Sequence, residues 1–376
     1  MLRQANYFFL SILMLMIGSS ADHPKLKNLI TQSEFLAQYP QSYYLIKIEL
    51  SKLPISTLKQ LKVLENPQIN FYLLRHLIDV GAFEQALPYW STIPKKLPTQ
   101  QLESLIEVLL KLGKWHELTL LSKHIEPFDR LDSLLQLQAG KIIENIDKQQ
   151  IKHLPVRLLP KALNFHQSCK NTVLLLADHL EASIHLQKLR AQYNKQPEPS
   201  PNSFCMSEVF YVGSALDCTE GFNGFALCNL NQSLPHADYQ IIMTKRGLAN
   251  VHNKQMTLSL QSDIDVLIHE LMHFSGFEDE YAVYGRKAKW LCNSSGLKAP
   301  NLYIGTVQSA PVDWSPAKTC EKGRLKAFKP SSQWSKMQYQ ELPLTEQYRQ
   351  LWRKKIVQDW QFKQKMQANK GEVIIN

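Results

Sequence analysis

The sequence predicts an α+β protein in two parts: an all-α array of helical hairpins, then a mixed α/β domain. Three observations predict it. Apolar residues before residue 194 recur with helical spacing, residues 194–203 read "NKQPEPSPNS", and the segments beyond are short, β-branched and aromatic until a helix carrying two histidines.

The start of the chain bears on compartment rather than fold. Arg3 precedes an apolar run from Tyr7 to Ile17, and Ser19-Ser20-Ala21 follows. That is the order of a secretory signal peptide, residues 1–21, cut after Ala21. The run is too short to span a bilayer comfortably, no cysteine follows it for a lipid anchor, and no second apolar stretch reaches spanning length. The expectation is an exported chain, periplasmic or secreted, with no stable membrane insertion after signal removal. Of 376 residues 44% are hydrophobic and 20% charged, and the formal charge is +10, a globular balance. The basic residues are dispersed and form no nucleic-acid module.

Residues 25–193 are expected to be helical. "LLRHLIDVGAFEQALPYW" (73–90) aligns with "LIEVLLKLGKWHELTLLS" (105–122): Leu73, Leu74 and Leu77 match Leu105, Ile106 and Leu109; Gly81 matches Gly113; Phe83 matches Trp115. Each copy reads as an apolar helix, a glycine turn and an aromatic opening the next helix. The spacing resembles tetratricopeptide-like helical hairpins, and generic hairpins fit it equally. Such arrays suit a protein partner. The alternating prolines of 194–203 read as an extended linker, leaving 204–376 as the second domain.

In that domain "EVFYVGSA" (208–215), "YQIIMTK" (239–245) and "MTLSL" (256–260) read as strands, the last a candidate sheet edge for an extended substrate. "SDIDVLIHELMHFSG" reads as a helix capped by Ser262 or Asp263 and ended by Gly276. Cys169, Cys205, Cys218, Cys228, Cys292 and Cys320 show no C-x-x-C pair, which favours disulfides over a cysteine metal site. Nearest-neighbour closure suggests Cys218–Cys228 and Cys292–Cys320, with Cys169–Cys205 tying the two halves together.

The chemistry centres on "HELMHFSGFEDEY" (269–281). His269 and His273, four apart, share one helix face and can reach one ion. Glu270 between them can act as general base without being a ligand. The wording resembles the H-E-x-x-H-x-x-G of metzincin zinc peptidases, the astacin family most nearly, and the D-E-Y ending resembles bacterial immunoglobulin-cleaving metallopeptidases. The resemblance implies a zincin-type catalytic domain binding one catalytic Zn2+. It also implies that the residue three beyond Gly276 is the third ligand. That is Asp279, where the family usually has histidine; Glu278 and Glu280 stay open as alternatives. "SKMQY" (335–339) is similar to the family's methionine turn, implying that Met337 packs under the histidines and Tyr339 stabilises an oxyanion. A zinc-dependent metallopeptidase acting on peptide or protein substrates is the expected function. The alternatives are a helical-repeat binding protein with a structural or vestigial zinc site, and a zinc amidase acting on cell-wall peptides.

Overall fold

The computed structural model describes residues 33–45, 49–141, 156–221, 224–231, 233–245 and 247–372. The expected signal peptide lies outside them, as does the start of the expected helical region. The chain divides into two compact units, Met1–Leu135 and Gln136–Asn376. Helices and strands are both present, as an α+β class requires.

The first unit contains α1 (Ser33–Gln38), α2 (Ile55–Leu61), α3 (Pro67–Asp79), α4 (Phe83–Ala86), α5 (Thr99–Lys111) and α6 (Trp115–His124), and α7 (Asp129–Gln138) begins in it. The pairs α3–α4 and α5–α6 are the two aligned copies. Each first helix closes through a left-handed glycine, Gly81 or Gly113. Two bonds, Gly81 N–H to Ile78 O and Ala82 N–H to Leu77 O, satisfy carbonyls the first helix would leave open. Gly113 and Lys114 repeat the pattern on Leu110 and Leu109. Leu73, Leu74, Leu77, Leu105, Ile106 and Leu109 are all buried. The copies differ after Ala86, where Pro88 has no N–H to give a helix and the chain tightens into a 3-10 stretch over Leu87–Thr92.

The second unit begins before the proline-rich stretch, which corrects the expected boundary. "TVLLLA" is strand β1 (Thr172–Ala177) and Leu180–Lys195 is helix α8. Both belong with β2 (Cys205–Tyr211), β5 (Tyr239–Thr244), β6 (Asn250–His252) and β7 (Gln255–Ser259) in a five-stranded sheet ordered β2-β1-β5-β7-β6. The pairs are parallel except β6–β7. Strand β1 is apolar on both faces because both are covered. Val173, Leu175 and Ala177 enter the larger core and Leu174 and Leu176 the smaller one behind it, so no alternation marks it in sequence.

Residues 194–203 are no free linker. Tyr193 donates its hydroxyl to Glu198 O at 2.7 Å, and the Glu198 carboxylate receives two 2.9 Å bonds from Arg349. All three disulfides pair as expected, but Cys169–Cys205 lies inside the second unit rather than between halves. "MTLSL" falls in β7, an interior strand, so the sheet edge is β6 instead. A disulfide-linked hairpin, β3 (Leu216–Glu220) with β4 (Ala226–Leu230), is inserted between β2 and β5.

Helix α9 (Ile264–Phe274) packs Leu267, Leu271 and Met272 into the larger core. Between it and the C-terminal helix lies an excursion holding α10 (Gly285–Leu291) and a four-stranded antiparallel sheet of β8 (Gly296–Ala299), β9 (Leu302–Gly305), β10 (Ser315–Ala317) and β11 (Lys326–Lys329). Helix α11 (Glu346–Glu372) then returns, burying Tyr348, Trp352 and Ile356 in the same core as α9. Among the described residues no helix is long and apolar enough to cross a membrane.

Candidate metal centre

Helix α9 starts where Asp263 accepts a hydrogen bond from Val266 N at 3.0 Å, which decides between the two capping residues. It ends at Gly276, φ +78°, with the terminator used at Gly81 and Gly113. Gly276 N–H reaches His273 O at 2.9 Å and Phe277 N–H reaches Met272 O at 3.2 Å. The left-handed residue reverses the chain and brings residues 277–279 back beside the last turn.

That reversal assembles three ligand atoms. His269 Nε2 and His273 Nε2 are 3.2 Å apart, and Asp279 Oδ1 stands 3.5 and 3.2 Å from them. Ligand atoms about 2.0–2.1 Å from a tetrahedral zinc ion stand about 3.3 Å apart, so the triangle has the size of one metal's coordination face. The ring orientations are fixed from behind. His269 donates Nδ1–H to Lys336 O at 2.9 Å and His273 donates Nδ1–H to Phe277 O at 2.8 Å. Each bond commits its imidazole, when neutral, to the tautomer whose Nε2 lone pair faces the shared point. His269, His273 and Asp279 form the group able to hold a metal ion among the described residues. The chain matches no family model, no curated protein and no solved structure.

The three acidic residues have separate duties. Asp279 turns Oδ1 to the histidines and Oδ2 to Lys287 Nζ, 2.7 Å away. Lys287 also pairs with Glu278 at 2.9 Å, and Glu278 is not among the three residues whose ligand atoms converge. Glu280 is fully buried and points elsewhere. It accepts from Asn301 at 2.8 Å, from Tyr348 at 2.6 Å and from Ser335, with Lys329 Nζ at 3.5 Å. Its own N–H bonds Met337 O at 2.9 Å, joining the ligand strand to the "SKMQY" turn. Met337 is buried in the core that holds Leu267, Leu271 and Met272.

Glu270 is buried, with Oε2 lacking a hydrogen-bond partner. Burial lifts its pKa against the opposing pull of the two histidines, making it a stronger base than an exposed carboxylate. A cavity of about 1100 Å³ opens over the cluster, lined by His269, Glu270, His273, Asp279 and the β6 segment 247–252. Tyr339 is not among the lining residues, and its ring lies 5.3 Å from that of Trp334. The phenol on the cavity wall belongs to Tyr281, held protonated by partial burial and then by the charge of Asp279. Tyr281 closes the acidic trio in sequence, whereas the expected oxyanion role was attached to Tyr339 by the five-residue pattern around it. Lys287 had no sequence signal at all.

Metal uptake should release a proton. Burial disfavours a charged His273, but the hydrogen bond and charge of Asp279 outweigh it and raise the pKa to about 9. At pH 7.5 the metal-free ring is therefore protonated, whereas a ligand must be neutral, so binding expels about one proton and weakens as pH falls below about 9. Zinc titration calorimetry in buffers of different ionisation enthalpy measures the count, and zero protons at pH 7.5 would contradict the assignment.

Proposed function

We propose that this protein is a zinc-dependent metallopeptidase with His269, His273 and Asp279 as metal ligands. The observation that carries the reading is the convergence of Nε2, Nε2 and Oδ1, with both imidazoles locked by backbone carbonyls, beside a buried carboxylate of the same helix. The resemblance of "HELMHFSGFEDEY" to metzincin motifs points the same way. Zinc held by three protein groups supplies an open position for water and a Lewis acid for a carbonyl.

The chain's residues do the rest. Glu270 accepts the proton of the attacking water and returns it to the leaving amine. Lys287 holds Asp279 in place and offsets part of its negative charge. Tyr281, kept protonated by burial and by the neighbouring Asp279 carboxylate, is the phenol on the cavity wall that can turn to donate toward a developing oxyanion. Strand β6, paired on one side only, offers its other edge to an extended peptide.

The test is zinc-loaded protein incubated with a peptide library, new termini being read by mass spectrometry. Cleavage that stops with a chelator and returns with zinc supports the reading. Absence of cleavage across the library overturns it in favour of a binding protein.

A further inference from the structure

The cavity that reaches the metal cluster also has an apolar part to its lining. Phe225, Leu227 and Leu248 are 41, 48 and 59% exposed, and all three line the cavity. Single exposed apolar residues need no explanation. Three on one wall of a cavity that ends at His269, Glu270 and His273 form a surface for something apolar.

The wall is rigid. Phe225 precedes β4 and Leu227 lies in it, across from β3 in a hairpin closed by Cys218–Cys228. Leu248 N–H donates to Gly224 O at 2.7 Å, and Asn250 Nδ2 donates to Ala226 O at 3.0 Å. A Cβ on Gly247 would stand 2.7 Å from that of Ala226, so the hairpin sits as close to the edge segment as a glycine permits.

The parity of that segment says which substrate side chains meet the wall. Ala249 and Val251 pack toward the core of α9. Leu248 and Asn250 alternate with them toward the hairpin: the Leu248 side chain lies 3.4 Å from where a Cβ on Gly224 would stand, and Asn250 reaches Ala226 O. A peptide paired along the open edge of β6 inherits the same alternation, sending every second side chain to the hairpin side.

We propose that Phe225, Leu227 and Leu248 form a specificity subsite that takes large apolar side chains from alternate positions of an extended peptide. The peptide's fate rests on the peptidase reading; the subsite's geometry does not.

Binding tests it independently of cleavage. Fluorescein-labelled eight-residue Ser/Gly peptides, carrying two alternating leucines or none, are titrated by anisotropy into zinc-loaded Glu270→Gln protein. The alternating-leucine peptide should bind about tenfold more tightly, as expected for half-burying two such side chains. The exposed double change Phe225→Ser with Leu227→Ser should erase the difference while leaving the thermal melt in place. Equal binding of both peptides, or a preference that survives the double change, overturns the proposal. If the double change alters sedimentation mass but not peptide preference, the wall serves self-association and the proposal is equally overturned. Library cleavage by the wild type with no apolar enrichment would sink the subsite and keep the peptidase. Leucine preference without any cleavage would do the reverse.

Discussion

Glu270→Gln should cut peptide hydrolysis by about 10²–10⁴-fold while leaving zinc bound. Glutamine has nearly the same shape, so the packing of α9 is kept, the two histidines stay fixed from behind by Lys336 O and Phe277 O, and Asp279 stays held by Lys287. The amide cannot take a proton, and general-base catalysis typically contributes about 10²–10⁴-fold. The expected result is a fall in kcat/KM of that size with KM little changed, and a zinc content equal to that of the wild type. Burial of Glu270 makes the loss hard to rescue, since bulk base has poor access to the position it leaves. A variant active within a few-fold of the wild type would show that another group handles the proton.

Glu280→Ala should be the most destabilising single change near the site. The carboxylate is fully buried and satisfied by Asn301, Tyr348 and Ser335, with Lys329 close by. Truncation leaves the 3%-exposed Lys329 without its counter-charge and strands the Tyr348 hydroxyl. Removing one partner of a buried ion pair costs about 3–5 kcal/mol. The loss should appear as a lower urea midpoint for the transition of the second unit, with zinc affinity reduced alongside because Asp279 is the preceding residue. A loss below about 1 kcal/mol would mean that the network is not cooperative.

What could be read in advance was local. The cap at Ser262 or Asp263, the reversal at Gly276 and the return of Asp279 beside the histidines depend on spacing within one helix and one turn, and sequence records such spacing directly. The glycine-centred hairpins of the first unit were readable for the same reason. The misplaced boundary has an equally physical cause. Strand β1 is buried on both faces, so "TVLLLA" lacks the alternation that identifies a half-buried strand, and the prolines nearby read as a linker. Whether β7 is an edge or an interior strand depends on β6, three residues long and too short to announce itself. Lys287 reaches Asp279 only through the fold of the excursion after the motif. Tyr281 and Tyr339 illustrate the limit best: both occupy tyrosine positions in recognisable patterns, but only one faces the cavity, and orientation is not written in spacing.

The short interval 269–279 that holds all three ligands has a thermodynamic consequence. Its ends are joined by a helix and a turn, so the denatured chain pays little loop-closure entropy to bring the donors back around an ion. A disordered chain can therefore retain some grip on zinc, although it lacks the carbonyls of Lys336 and Phe277 that aim the rings. Stabilisation by a ligand depends on the difference between its affinities for the folded and unfolded states. Zinc should thus raise the melting temperature by less than its affinity for the native protein alone would imply.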